Sequence, residues 1–199
     1  MRFLGPLVML ALLLSLRPVQ AADRIDVGLL LGTTKATDEE AVLQFHREIT
    51  YQATFAWRIW SGTRAGVAIE VPFLASPAFE VTTPGASLPL EYASLYVTPG
   101  VRLTLPVQSG LSVFGTVGAG FARYTESKLK ADKSPNPNQQ DTNTGAFHIG
   151  GGLDVRALGW LGFRGEIRDV ITGPRRFSIP TPGPTVHNLI PSIGLVVRF

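Results

Sequence analysis

The stretch "GFRGEIRDV" places Arg164, Glu166 and Arg168 at every second position. A spacing of two puts all three on one face of a β-strand. Just upstream, "FHIGGGLDVR" adds His148, Asp154 and Arg156 at even intervals, and Arg58, Glu70 and Arg102 stand in three earlier stretches of the same kind. Cations and carboxylates set out this way suit acid–base chemistry, ion conduction or a locked salt-bridge network. The charge count favours the third. Six arginines (58, 102, 156, 164, 168 and 198) face four carboxylates (26, 70, 154 and 166), close to balance. A buried charge without a partner costs several kcal/mol, so near balance is what a closed network requires.

Other chemistries find less support. Nucleophilic hydrolysis needs a serine and a histidine in reach of each other, with an acid to orient the histidine. The three histidines are His46 and His187, expected in loops, and His148, expected among the charged residues. None stands two residues from a serine on an apolar strand face. Three scattered histidines and no cysteine give no metal-ligand spacing. No catalytic, cofactor-binding or metal-binding residue is assigned, and the expectation is a non-enzymatic protein without a cofactor.

The elements that must hold these residues are strands. Period-2 alternation runs through eight segments, at about 24–33, 48–60, 65–74, 92–105, 111–124, 146–157, 160–171 and 188–199. The connections after the second, fourth and sixth segments are short ("SGTR", "PVQSG", little more than "LG"). The others, at about 34–47, 75–91, 125–145 and 172–187, are long. One face of the segments is apolar throughout, for example Ile49, Tyr51, Phe55, Trp57 and Ile59, or Phe147, Ile149, Leu153 and Val155. It meets charges only near segment ends, at Arg123 and Asp169. The opposite face carries Asp26, Arg198 and the charged residues above. It also carries Gln52, Thr54, Ser94, Thr98, Ser112, Thr116, Ser192 and many glycines.

Alternation alone does not say which face points inward. A lipocalin-like barrel would enclose the apolar face. Three features favour the inverted arrangement. Charges sit in the middle of several segments, and small residues crowd the polar face, as the narrow lumen of eight strands demands. Aromatics (Tyr51, Trp57, Phe73, Phe121, Phe147, Phe163, Phe199) gather toward segment ends on the apolar face, as membrane girdles do. The expected fold is all-β: a closed eight-stranded antiparallel transmembrane β-barrel, a meander with short periplasmic turns and long extracellular loops. Pro99 and Pro191 strain this plan, because a closed sheet offers no edge for a missing donor. Both are expected toward the extracellular ends of their strands, at a bulge or above the bilayer.

The N-terminus explains how such a chain is exported. Arg2, fourteen uncharged residues from Phe3 to Leu16 and the small-residue site Val19-Gln20-Ala21 form a secretory signal peptide. Two units are expected: residues 1–21 as signal peptide and 22–199 as the barrel domain. Removing 21 of the 199 residues leaves 178, and takes Arg2 and Arg17 with it. Sixteen basic residues then meet 15 acidic ones, and no basic run marks a nucleic-acid footprint. The absence of cysteine rules out disulfide stapling.

The chain ends "SIGLVVRF", in which Ser192, Gly194, Val197 and Phe199 match a polar–x–Gly–x–x–apolar–x–aromatic terminus. With eight alternating segments before it, the chain resembles the small eight-stranded outer-membrane β-barrels, the OmpA/OmpX-type and opacity-type porin-like surface proteins. The resemblance implies a bacterial outer-membrane location and recognition of the last strand by the barrel assembly machinery. It further implies outer-membrane lipid and lipopolysaccharide as surroundings, a monomeric state and an extracellular ligand at the loops. Two enzyme classes share the barrel size, lipid A deacylases and palmitoyl transferases, but the histidine placement gives them little footing. The third long loop, "ESKLKADKSPNPNQQDTNTG", is polar and lysine-rich, suited to solvent or to an anionic contact. Two functions remain: a structural or surface-interaction barrel working through its loops, and a narrow porin-like conduit for small solutes or apolar molecules.

Overall fold

The computed structural model describes residues 24–36, 44–45, 48–82, 91–130, 133–137, 139–174 and 185–199. The expected signal peptide, residues 1–21, lies outside these, as does much of the first, second and fourth long loops. Alternation produces the strands that it predicts: β1 (Ile25–Ala36), β2 (Glu48–Ser61), β3 (Gly66–Thr82), β4 in two segments (Glu91–Val97 and Gly100–Gln108), β5 (Leu111–Glu126), β6 (Asp141–Arg156), β7 (Leu161–Thr172) and β8 (Val186–Arg198). A two-residue bridge, Gln44–Phe45, pairs with the end of β3. Every strand is antiparallel to its sequence neighbours. The last returns to the first, from Asp26↔Arg198 to Ala36↔Asn188. The sheet is a closed meander of eight strands with no free edge. The seam is tied at the short-turn end, where Arg24 N–H and Ile25 N–H both donate to the Phe199 carbonyl (2.7 and 3.2 Å) and Phe199 N–H donates to Ile25 O (2.9 Å).

Among the described strand residues, every buried side chain carries an even number. The odd-numbered side chains form an exposed apolar belt that includes Leu29, Leu31, Tyr51, Phe55, Trp57, Phe73, Val117, Phe121, Phe147, Ile149, Phe163 and Ile193. Water would penalise an apolar patch of this extent heavily. The arrangement suits a barrel that places its outer face in hydrocarbon, and it excludes the lipocalin-like alternative. The seven aromatics singled out for the girdles all lie on this outward face, with Phe199 half-buried.

Two expectations about the strands need correction. The strands run further toward the long loops than the apolar belt does. β3 continues to Thr82 rather than ending near 74, and β6 begins at Asp141 rather than near 146. Beyond the belt the outer face becomes polar, with an Arg123–Asp141 pair (2.8 Å) and an Asp169–His187 pair (2.8 Å). Paired backbone is still the best partner for its own N–H and C=O groups there, so the ladder continues above the hydrocarbon.

The prolines also sit differently. Pro99 lies in the middle of β4, not at its extracellular end, and the strand is interrupted there without a bulge. Val97↔Phe121 and Gly100↔Gly118 belong to one continuous register. The Pro99 carbonyl accepts Ala119 N–H at 3.0 Å, so the ladder loses half of one bond pair. Pro191 stays in register with Ile167 on β7. On its β1 side the named partners skip from Gly32↔Ser192 to Lys35↔Leu189, again without a shift. A bulge occurs instead at the short-turn end, between Pro106 and Gln108, just before the turn that Gly110 closes at φ 80°. A positive φ of that kind is open to glycine at no steric cost.

Candidate functional site

The chemistry lies inside the barrel and is built by register. Asp154 of β6 stands directly across from Arg164 of β7. That places a carboxylate against a guanidinium, and they bond in parallel: Arg164 Nε to Asp154 Oδ1 at 2.7 Å and Nη2 to Oδ2 at 2.8 Å. Next along β7, Glu166 faces Gly152 of β6 and Ser192 of β8, and Arg168 faces Gly150. Glycines opposite the large side chains leave room for them in a narrow lumen. A Cβ on Gly152 would meet the Phe114 ring at 2.8 Å.

Glu70 of β3 is the hub, and it is fully buried. Arg168 Nη2 reaches its Oε1 at 2.7 Å and Arg102 Nη1 its Oε2 at 3.1 Å, with Arg164 Nη1 4.0 Å away. Arg102 also holds Asp26, and Arg168 also holds Glu166 at 3.0 Å. Glu166 accepts a 2.6 Å bond from Gln52 Nε2, and the Gln52 oxygen accepts one from Ser192 Oγ at 3.3 Å. His148 is locked into the same set: its Nε2 lies 3.0 Å from Arg168 Nη1 and its Nδ1 2.8 Å from Thr98 Oγ1. A guanidinium only donates, so Nε2 accepts and Nδ1 carries the proton toward threonine. His148 therefore has both nitrogens engaged.

The structure thus brings together Glu70, Arg102, His148, Asp154, Arg164, Glu166 and Arg168 from the expected set, and separates two. Arg156 is exposed at the short-turn mouth, and Arg58 is half-buried there, 3.7 Å from Asp26. This corrects the charge count. The buried layer holds four arginines (102, 164, 168, 198) against four carboxylates (26, 70, 154, 166). It is balanced, as burial demands.

Sequence reasoning missed a second set of residues. Phe114 lies under two of the arginines, with Arg164 Cζ 4.7 Å and Arg102 Cζ 5.7 Å from its ring centre. Toward the long-loop end the lumen becomes an apolar core of Leu74, Tyr92, Tyr96, Ala122, Tyr124, Ala146, Val170 and Ile190. Tyr124 meets Tyr92 and Tyr96 edge-to-face, with centroids 6.2 and 5.9 Å apart. Tyr124 Oη pairs with Thr172 Oγ1 at 2.9 Å, and Tyr96 donates to Asn188 Oδ1 at 3.3 Å. The signal was present in the sequence: the even positions of "EYASLYVT" and "FARYTE" carry on the lumen face, with the rings of Tyr92, Tyr96 and Tyr124 and a single carboxylate, Glu126.

His187 stands on β8, not in the fourth loop, and its Nδ1 meets Asp169 on the outer surface. Its neighbours two residues away on that face are Thr185 and Leu189, so no serine adjoins it on the strand. The terminal residues divide between the faces. Ser192 is buried in the lumen network, Val197 and Phe199 are half-buried on the outer face, and a Cβ on Gly194 would collide with the Leu29 carbonyl. Two apolar grooves lie outside, one of about 840 Å³ beside Ile167 and Ile193 and another of about 630 Å³ beside Tyr51 and Phe73. Neither gathers the polar groups that orient a specific ligand.

Solved structures of similar shape include small outer-membrane barrels. Neisserial surface protein A matches with a TM-score of 0.57 at 8% identity, over 88% of this chain and 96% of its own. Ail, the attachment invasion locus protein of Yersinia pestis, solved in complex with the heparin analogue sucrose octasulfate, gives 0.53 at 12%, over 89% and 97%. The outer membrane protein OprG from Pseudomonas aeruginosa gives 0.52 at 14%, over 90% and 96%. No family model and no curated protein matches the sequence. The fold is that of the small eight-stranded outer-membrane barrels.

Proposed function

We propose that this protein is a bacterial outer-membrane barrel with a sealed lumen that acts from its long-loop end, as a non-enzymatic surface-interaction protein. The observation that carries this reading is the balanced, interlocked charge layer topped by packed tyrosines. A conduit would need water where Arg164, Arg168, Tyr96 and Tyr124 are fully buried. The enzyme alternative has little footing, because the hydroxyls beside His148, those of Thr98 and Thr116, are buried with it in the lumen, out of reach of a lipid substrate.

In this reading residues 1–21 direct export, residues 22–199 form the barrel domain, the short turns face the periplasm, and Ser192, Gly194, Val197 and Phe199 present the last strand to the assembly machinery. The barrel works as a monomer amid outer-membrane lipid. Its third long loop folds back on itself, with Lys130 N–H donating to Ser134 O (2.9 Å) and Asn136 N–H to Lys128 O (2.8 Å). That hairpin carries Lys128, Lys130 and Lys133, a cationic contact suited to lipopolysaccharide phosphates or another anionic extracellular ligand. Planar-bilayer recording of the refolded barrel tests the reading. The expected result is no steady conductance. A persistent open channel in the wild-type protein would turn the reading toward the conduit.

A further inference from the structure

The turn at the tip of the β5–β6 hairpin holds a lysine where the backbone favours a different residue. Lys130 N–H donates to Ser134 O (2.9 Å) and Lys133 N–H to Lys130 O (2.8 Å), so Lys133 is the last residue of a three-residue loop. Such loops end in the left-handed region, and Lys133 has φ 64°, the one non-glycine residue with a positive φ among those described. Glycine and asparagine take that conformation readily, whereas other side chains crowd the following carbonyl there. A strained position filled against its preference points to a use for the side chain. The backbone beneath it is tied down. Buried Asn136 donates its N–H to Lys128 O (2.8 Å) and its Nδ2 to Ser127 O (3.4 Å), and Oε2 of buried Glu126 accepts Gln140 N–H (3.0 Å). On this frame Lys128 and Lys133 are exposed and Lys130 is half-buried.

We propose that Lys133, with Lys128 and Lys130, binds closely spaced phosphate groups on a partner that approaches from outside the membrane. The site rests on the hairpin's role as a cationic contact, and gives that contact a determining residue and a ligand chemistry. Ammonium groups bind phosphate as point charges, and three of them on one turn match a multiply charged chain better than a lone carboxylate. A frame ordered before contact has less freedom to lose on binding. Height selects the source of the phosphate. Tilted strands gain about 2.5 Å of height per residue. The hairpin leaves the ladder at Glu126, five residues beyond the girdle residue Phe121, so it starts about 12 Å above the edge of the hydrocarbon. The exposed Arg123–Asp141 pair lies between, at the level where lipid phosphates meet the barrel.

The test is calorimetric titration of inorganic tripolyphosphate into the full refolded barrel in a phosphate-free sugar detergent. Saturable binding is expected. Lys133→Gly and Lys133→Asn both suit a left-handed turn, so each variant should keep its heat-modifiable migration. Their binding should fall roughly fivefold, the scale of one lysine facing an anionic surface. Lys133→Arg keeps the charge and should bind as the wild type does, which a purely structural role for the ammonium would not require. If Lys133→Gly and Lys133→Asn bind with wild-type affinity, the assignment of Lys133 fails while the cationic contact stands. If the wild-type protein does not bind at all, both fail. Repeating the titration in bilayers that contain lipopolysaccharide checks the source. Binding retained there fits a partner from outside, and binding lost there would overturn it in favour of lipopolysaccharide.

Discussion

Glu70 answers to three arginines and meets no water, which makes it the residue whose charge matters most. Glu70→Gln removes the carboxylate and leaves Arg102 and Arg168 underpaired. The expected loss is about 3–5 kcal/mol, the cost of breaking a buried pair from one side. Glu166→Gln is milder, because Arg168 keeps Glu70. A loss of about 1–3 kcal/mol fits the partial loss of buried hydrogen bonds. Arg58 is half-exposed and its carboxylate partner is 3.7 Å away. Arg58→Gln should therefore cost under about 1 kcal/mol, as solvent-screened pairs do. Urea unfolding of the three variants in lipid vesicles gives the order. If Arg58→Gln cost as much as Glu70→Gln, the hub assignment would fail.

At the scale of the strand, close fit between neighbours and the depth of each position set the tolerance. A Cβ on Gly152 would stand 2.2 Å from the Gly165 carbonyl and 2.8 Å from the Phe114 ring. Gly152→Ala should destabilise the barrel by about 1–3 kcal/mol, the usual penalty for overpacking, while Gly145→Ala, which meets nothing within 4 Å, should not. On the outer face, Val117 pairs with Val101 and Ile149 well away from the turn, whereas Val113 is two residues past the start of β5. Val117→Arg is expected to cost about 2–4 kcal/mol and Val113→Arg nearer 0–1, the depth dependence of a charge in hydrocarbon. Equal costs, measured in vesicles, would mean that the apolar belt is not centred where β5 suggests. The last strand separates two roles in the same way. Arg198→Gln should lower unfolding stability, because Asp154 loses a partner. Phe199→Asp should slow assembly in cells while the barrel, once formed, unfolds almost as the wild type does.

The whole molecule is a cylinder whose outside is oily and whose inside is filled, by charge pairs toward the short turns and by rings toward the long loops. Such an object is stable only with lipid around it. It should fractionate with outer membranes and migrate as a heat-modifiable band, and recovery as a soluble periplasmic protein would contradict its surface. A filled interior also predicts that Glu70→Gln loses stability before it gains conductance, because the tyrosine layer is a second seal that does not depend on charge.

Much of this was legible in the sequence because it is local. Alternation is a property of neighbouring residues, and "RGEIR" or "SIGLVVRF" declares a strand and its two faces without reference to the rest of the chain. Loop lengths then fix a meander, and small residues on the charged face say which side must fit a narrow lumen. What pairs inside was not legible. Gln52 meets Glu166 across 114 positions and Arg102 meets Asp26 across 76, contacts set by how the closed sheet brings distant strands to one level. That geometry also decided that Arg58 and Arg156 fall at the mouth, leaving four charges against four. It placed Pro99 at mid-strand too, because the register on both sides of β4 is held by many residues and one missing donor is too small a loss to shift it. Local chemistry writes the faces of each strand, but only closure brings those faces together.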